Sequence, residues 1–277
     1  MNDIKSKIKL NMELTEKILV NFIREEVRSA GFEKVVLGLS GGIDSAIVAF
    51  LAVKALGPEN VLGIMMPYKS SSRESLEDAE RVVKATGMRV KKIEITEMLD
   101  AYFAKESDIS DLRKGNKMAR ERMTILYDYS AKEKSLVLGT SNKTEILLGY
   151  STQWGDSASA INPIGDLLKT QIWELSEYMG VPKEVIEKKP SADLWEGQSD
   201  EDELGFSYFL ADEIINLLVD ERYTKDEILE MGYSEKTIDS ILWRIKTNQY
   251  KRKLPLIAKI SSRTMEREFR YPRDWGI

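Results

Sequence analysis

The chain of 277 residues contains no cysteine. That removes disulfides, thiolate metal sites and cysteine nucleophiles from consideration. It contains no histidine either, which takes away the usual general base and the commonest transition-metal ligand. A metal bound here should therefore be hard and oxygen-ligated, magnesium before zinc. Long apolar runs are missing, as is a cleavable signal pattern, so the expected setting is the cytoplasm and not a membrane. Positive charge is not in excess: the net charge is -5, and bulk electrostatics point away from free nucleic acid as a partner. What remains, 42% hydrophobic and 31% charged, has the balance of a soluble globular protein large enough for a sizeable core.

Along the chain, apolar residues from Met12 to Ala30 recur at helical spacing. "KVVLGLS" is a short apolar run that suits a strand covered on both faces, and Ile43 to Leu56 follows as a helix stopped by Gly57-Pro58. The alternation continues with the strand "NVLGIMMP", a helix over Ser72 to Thr86, the strand "VKKIEI", a helix over Lys114 to Glu133 and the strand "SLVLGT" ending at Thr140. Strands alternating with helices predict an α/β fold, a doubly wound, mostly parallel sheet with helices on both faces. Past Pro163 the pattern turns helical: Lys169 to Gly180, Ser207 to Val219, Thr224 to Met231 and Ser234 to Lys251. "PSADLWEGQSDEDELG" reads as an acidic surface loop, and "TNQYKRKLP" and "SSRTMEREFRYPRDW" as a basic, aromatic tail. The expectation is a single domain over residues 1–277, its sheet core over about 30–165 and a helical part over about 166–277.

One stretch carries chemistry. "SGGIDS" ends the first strand and opens a helix, where ligands of open parallel sheets bind. Gly41 and Gly42 allow a tight turn that presents N–H groups to an anion, and the helix N-terminus adds its dipole. Ser40 and Ser45 supply hydroxyls. Asp44 would repel a phosphate unless a magnesium ion bridges the two. The loop has neither the lysine of G-x-x-x-x-G-K-[ST] nor the spacing of G-x-G-x-x-G. Without further context, a glycine turn with Ser45 or Asp44 capping a helix would explain the same residues.

"GLSGGIDSA" resembles the loop of the PP-loop ATP pyrophosphatases, which grip the pyrophosphate of ATP while the α–β phosphate bond breaks. The segment from "GNKMARERM" through "LVLGTSNKTEILLGYSTQWGDSASAINPIGDLLKTQ" to "KKPSADLWEGQSDEDELG" is similar to the ammonia-dependent NAD synthetases, and the likeness spans nearly the whole chain. It implies an adenine nucleotide alpha-hydrolase-like fold and amidation of deamido-NAD by ammonia through an adenylated nicotinate, with release of AMP and pyrophosphate. It further implies ATP contacts at Gly38, Leu39, Ser40, Gly41, Gly42, Ile43, Asp44, Ser45, Thr140, Lys169 and Ser191. Magnesium would sit on Asp44 and Glu145, with Lys169 completing the catalytic set. Arg120 and Lys251 match contacts to the dinucleotide, and the family pattern implies a homodimer with substrate across the interface. Absence of cysteine agrees with ammonia, since a glutamine amidotransferase needs a cysteine nucleophile.

Three positions depart from that pattern: Gln153 where lysine is expected, Ala160 where aspartate is expected and Tyr250 where histidine is expected. All three fall on the substrate side. A related acid such as nicotinate mononucleotide is the alternative substrate. A PP-loop tRNA-modifying enzyme, or an ATP-binding regulatory module without catalysis, would use the same loop; the net charge disfavours the first. Singly, Glu145 also reads as solvated surface, Thr140 as a helix cap, Lys169 as an exposed helix start, Asp200 to Glu203 as a solvated loop, and Met65-Met66 as core or an adenine contact.

Overall fold

In the computed structural model, residues 8–191 and 199–264 are described. Four strands form one parallel sheet: β1 (Lys34–Gly38), β2 (Val61–Met65), β3 (Arg89–Lys92) and β4 (Ser135–Val137), in the spatial order β3-β2-β1-β4. Val35 pairs with Val61, Lys34 with Ser135, and Gly63 with Val90. The chain winds outward from β1 through β2 to β3, then returns to place β4 on the other side of β1. The order therefore reverses at β1, and the crevice beyond the carboxyl end of β1 is the ligand position of such sheets.

Alternation along the strands divides the core. Val35, Leu37, Val61 and Met65 face one side, where α2 (Ile43–Leu56) lies on the strands and α1 (Met12–Ser29) and α7 (Lys169–Met179) pack on α2, in one core with residues such as Ile23, Ile47, Leu51 and Ile172. Val36, Leu62, Ile64 and Val137 face the other, against α4 (Thr96–Phe103) and α5 (Asp111–Glu133) through Leu99, Met118, Met123 and Leu126. β2 is buried at all five positions, as an apolar run without alternating polarity demands. α2 is apolar nearly all round because it lies between the sheet and α1, α3 (Arg73–Thr86) and α7.

β3 is shorter than the "VKKIEI" run implied, and its four residues are exposed. It is the sheet's edge, which Lys91 and Lys92 protect by charge. Ile93 and Ile95 carry the ladder on by donating to the carbonyls of Met65 and Pro67. The helix expected from Lys114 begins instead at Asp111, because the Ser110 hydroxyl accepts the Arg113 N–H and caps it. β4 stops at Val137, and the ladder continues beyond it through a parallel bridge from Leu138 to Ile161.

After α6 (Lys143–Leu148) and α7 come four short helices, α8 (Lys183–Glu187), α9 (Asp200–Leu204), α10 (Tyr208–Ile215) and α11 (Lys225–Glu230), and the longer α12 (Glu235–Thr247). α10 runs into a π-helical turn over Asn216–Asp220, where a single helix to Val219 was expected. Tyr208, Ile214, Ile228, Ile238 and Ile241 form a second apolar cluster with Leu148 of α6 and Leu168. Trp173 of α7 packs against both this cluster and the larger core, so α7, which lies on α1 and α2, joins the helical part to the sheet layer.

The glycine loop is bound tightly to α3. Gly41 has φ +81°, and a Cβ there would stand 2.0 Å from the Ser75 carbonyl oxygen. Gly41→Ala should therefore cost at least about 1–3 kcal/mol of stability. Urea unfolding monitored by circular dichroism checks it, and an unchanged midpoint would show that the loop is looser than described.

Candidate active site

Gly42 precedes α2 in extended conformation, which aims the first N–H groups of the helix at the space above β1. The two loop hydroxyls set its shape: Ser45 donates to the Gly42 carbonyl at 2.9 Å and accepts the Ser40 N–H at 3.2 Å, while Ser40 accepts the Gly42 N–H at 3.2 Å. Asp44, in the first turn of α2, points across the crevice.

Two other helix starts meet it there. Asn142 caps α6 in a capping box: its side chain accepts the Glu145 N–H at 3.0 Å, and the Glu145 carboxylate accepts the Asn142 N–H at 3.3 Å. The remaining amide hydrogens of Asn142 reach Asp44 at 2.9 Å. Lys169 is the first residue of α7, and its Nζ lies 2.5 Å from Asp44 Oδ2 and 3.3 Å from Glu145 Oε1. Its side chain is 3% exposed. The ammonium also stands 5.1 Å from the centroid of the Tyr208 ring, a cation–π contact.

A third carboxylate completes the set. Asp200, at the start of α9, is buried, and accepts hydrogen bonds from Tyr150 at 3.0 Å and Tyr208 at 3.1 Å. Two carboxylates thus hold one buried ammonium, and a third lines the same crevice. Burial works against the Lys169 charge, but Asp44 and Glu145 outweigh it and hold the group above the ordinary lysine range. Burial, with Asp44 beside it, pushes the Glu145 carboxyl up to about 8. Asp200 is raised by burial too, against the pull of Lys169 and the two tyrosines. Negative charge thus exceeds positive among these groups, which favours a proton or a cation there.

These groups line a cavity of about 1030 Å³, at the top of the size range for small-molecule pockets. The structure brings together on its walls Gly38, Leu39, Ser40, Gly42, Ile43, Asp44, Ser45, Thr140, Lys169 and Ser191 of the expected nucleotide set, with Glu145 of the expected metal pair. Gly41 is the exception, turned toward Ser75. Arg120 and Lys251 of the expected substrate set also line it. Arg120 donates to the Gln153 carbonyl at 3.2 Å. Lys251 donates to the carbonyls of Gly149 and Ser151, both at 2.7 Å, and burial lowers its pKa. Met65 and Met66, both buried, reach the same cavity. Of the three departures, Gln153 and Tyr250 face the cavity and Ala160 does not.

Several simple readings are corrected. Glu145 and Lys169 are not solvated, and Thr140 does not cap α6, because Asn142 does. Asp200 is not in a solvated loop: Asp200–Leu204 is helical and Asp200 is buried. The rest of that expected loop, residues 192–198, lies outside the described residues, as does the tail beyond 264. Sequence reasoning missed Asn142, Tyr150, Lys188 and Asp200. The N-x-x-E spacing of "NKTE" signals Asn142 as a cap; nothing local marks the others. Lys188 reaches the cavity from α8 and bonds the Ser75 hydroxyl at 2.9 Å and Asp78 at 3.1 Å.

Residues 15–255 match the model of NAD synthase. The chain belongs to the NAD synthase family. It is 55% identical over 98% of its length to an NH(3)-dependent NAD(+) synthetase of Trichlorobacter lovleyi, 99% of which is covered. It is 58% identical over 92% of its length to that of Fusobacterium nucleatum, again 99% covered. Among solved structures, an NH3-dependent NAD synthetase from Campylobacter jejuni is 38% identical, with a TM-score of 0.78 over 91% of this chain and 100% of that one. An NMN synthetase from Francisella tularensis is 33% identical, with a TM-score of 0.81 over 90% of this chain and 99% of that one. The fold of this family is the doubly wound parallel sheet expected from the alternating pattern.

Glu145 supplies a test in metal-free buffer. The folded carboxyl keeps its proton up to about 8, whereas the unfolded one releases it near 4.5. Between those values the folded state binds more protons, so this group makes stability fall as pH rises. Glu145→Gln should flatten that fall in a melting-temperature series from pH 5 to pH 8. Parallel curves for the two proteins would exclude the raised value.

Proposed function

We propose that the chain makes NAD from deamido-NAD, ATP and ammonia, through an adenylated nicotinate, with AMP and pyrophosphate as products. The observation that carries this reading is the meeting of Asp44, Glu145 and Lys169 beside the glycine loop, in a chain of the NAD synthase family. In the first step a carboxylate oxygen of the acid attacks the α-phosphorus, and the bond to pyrophosphate breaks. In the second, ammonia attacks the acyl carbon, the carbon–oxygen bond to AMP breaks, and a proton is lost.

The loop N–H groups, with the N-terminal dipole of α2, hold the departing pyrophosphate. Lys169 places a fixed positive charge where negative charge develops on the phosphoryl group, in a site already desolvated. Arg120 and Lys251, which line the same cavity, orient the acid. Because the acyl adenylate is itself activated, no covalent enzyme intermediate is required, and alignment is the protein's main task.

The donor set fits magnesium. Asp44 and Glu145 are hard oxygen ligands, and they already share one cation, the Lys169 ammonium, at 2.5 and 3.3 Å. These two carboxylates would hold the ion. Among the described residues there is no group of three or more acidic side chains arranged to hold a metal, so water and phosphate oxygens would complete its shell. Bound there, magnesium supplies charge neutralisation at the phosphates.

The same reading makes the enzyme a cytoplasmic homodimer in which residues 1–277 act as one domain. No helix among the described residues is long and apolar enough to cross a membrane. A second reading keeps the chemistry but takes nicotinate mononucleotide as the acid. Gln153 on the cavity wall, in place of lysine, and the similarity to an NMN synthetase favour it.

AMP release with each acid in turn, and with ammonium against glutamine, decides the matter. Deamido-NAD with ammonium should give the highest kcat/KM; a preference for the mononucleotide would establish the second reading. AMP formation indifferent to either acid would refute both. Lys169→Ala should lower kcat by about 10²–10³, and Asp44→Asn should abolish turnover while the fold persists.

A further inference from the structure

Asp212 sits on α10, and the chemistry above leaves it without a role. It is fully buried, as is Thr144. Its Oδ1 accepts the Thr144 hydroxyl at 2.5 Å, and its Oδ2 accepts the Thr170 N–H at 2.7 Å. The Thr144 hydroxyl in turn accepts the Lys169 N–H at 3.1 Å. One carboxylate therefore ties together the first turns of two helices, α6 with Thr144 and Glu145, and α7 with Lys169 and Thr170.

The arrangement uses groups that each helix leaves over. The first N–H groups of α7 have no partner within the helix, and here Lys169 and Thr170 find theirs through Asp212. The negative charge is suited to that helix end. Burial raises the Asp212 pKa, while the Thr144 hydroxyl and the Thr170 amide hold it down. Four residues earlier on the same face of α10, Tyr208 carries its ring beneath the Lys169 ammonium and its hydroxyl to Asp200. α10 thus touches Lys169 at its backbone, through Thr144, and at its side chain. Only a carboxylate offers two acceptor oxygens on one carbon; an amide would turn an N–H₂ toward one of the two donors.

We propose that Asp212, acting through Thr144, is a positioning residue for adenylation: it sets the spacing between α6 and α7 at which Glu145 and Lys169 converge on Asp44. The proposal rests on the adenylation reading above. Neither Asp212 nor Thr144 lines the cavity, so both work without touching nucleotide. Losing the tie should misplace reacting groups and lower kcat, with little change in substrate binding.

Thr144→Val removes the hydroxyl with little change of shape. In ammonium-dependent AMP formation its kcat should fall about tenfold to a hundredfold, with KM for ATP within about threefold of wild type. Thr144→Ser, which keeps the hydroxyl, should return to within about threefold. Asp212→Asn should match Thr144→Val, and the double variant should lose little more than the worse single one. A merely structural role would lower the melting temperature and leave kcat unchanged at temperatures where the variants stay folded. Folded Thr144→Val with kcat within about twofold of wild type, or losses that multiply in the double variant, would overturn the proposal. Should Thr144→Val fail to fold, Asp212→Asn carries the same test. Wild-type enzyme that releases no AMP would instead sink the adenylation reading, a result distinct from an active enzyme indifferent to Thr144.

Discussion

A lysine ammonium withdrawn from water is tolerated only where opposite charge and hydrogen-bond acceptors replace the lost hydration. Lys169 meets that condition with Asp44 on one side, Glu145 on another and the Tyr208 ring beneath it. The remainder of the site follows from this contact. It brings three helix N-termini to one point, and each contributes a charged side chain from its first turn. Burial, with Asp44 beside it, raises the Glu145 pKa, and Asp200 adds further negative charge to the crevice.

The scaffold explains why those helix starts converge. Strand order reverses at β1, so the connections on its two sides diverge and leave a crevice. α2 begins directly beneath it. α6 follows β4, and its start is fixed through Asn142, which caps its own helix while holding Asp44. α7 belongs to the helical part, yet it joins the sheet-side core through Ile172 and Leu175, by way of α1 and α2, and the helical cluster through Trp173. The helical part is therefore part of the catalytic frame: α10 grips α7 at Thr170 and, by way of Thr144, at Lys169.

Much of the fold was legible because local signals and the global arrangement agree. The strand–helix alternation predicted a parallel doubly wound sheet, and α2 runs from Ile43 to Leu56 as the apolar run and Gly57 required. Boundaries failed where a local signal was ambiguous. The helix expected from Lys114 starts about one turn earlier, at Asp111, because Ser110 caps it ahead of that segment. "VKKIEI" alternates like a half-buried strand, but as the sheet's edge its regular part is short and its side chains reach solvent. Asp200 sits in an acidic run that looks solvated, and Lys169 with the two tyrosines brought to it by the fold makes its burial tolerable.

By itself the sequence determined which chemistries were open. It lacks cysteine and histidine, which leaves only oxygen ligands for any metal, and it carries a glycine loop with an aspartate and no lysine, which excludes the G-x-x-x-x-G-K-[ST] pattern. It also determined the order of strands and helices, because that order follows from hydrophobic periodicity, a property of neighbours in the chain. What only the tertiary structure decided is which charges meet. Asp44 and Lys169 are 125 residues apart, and the ties from Asp212 to Thr144 and Thr170 span 68 and 42. No local signal encodes such pairs, because the burial that makes them strong exists only once the helices have packed.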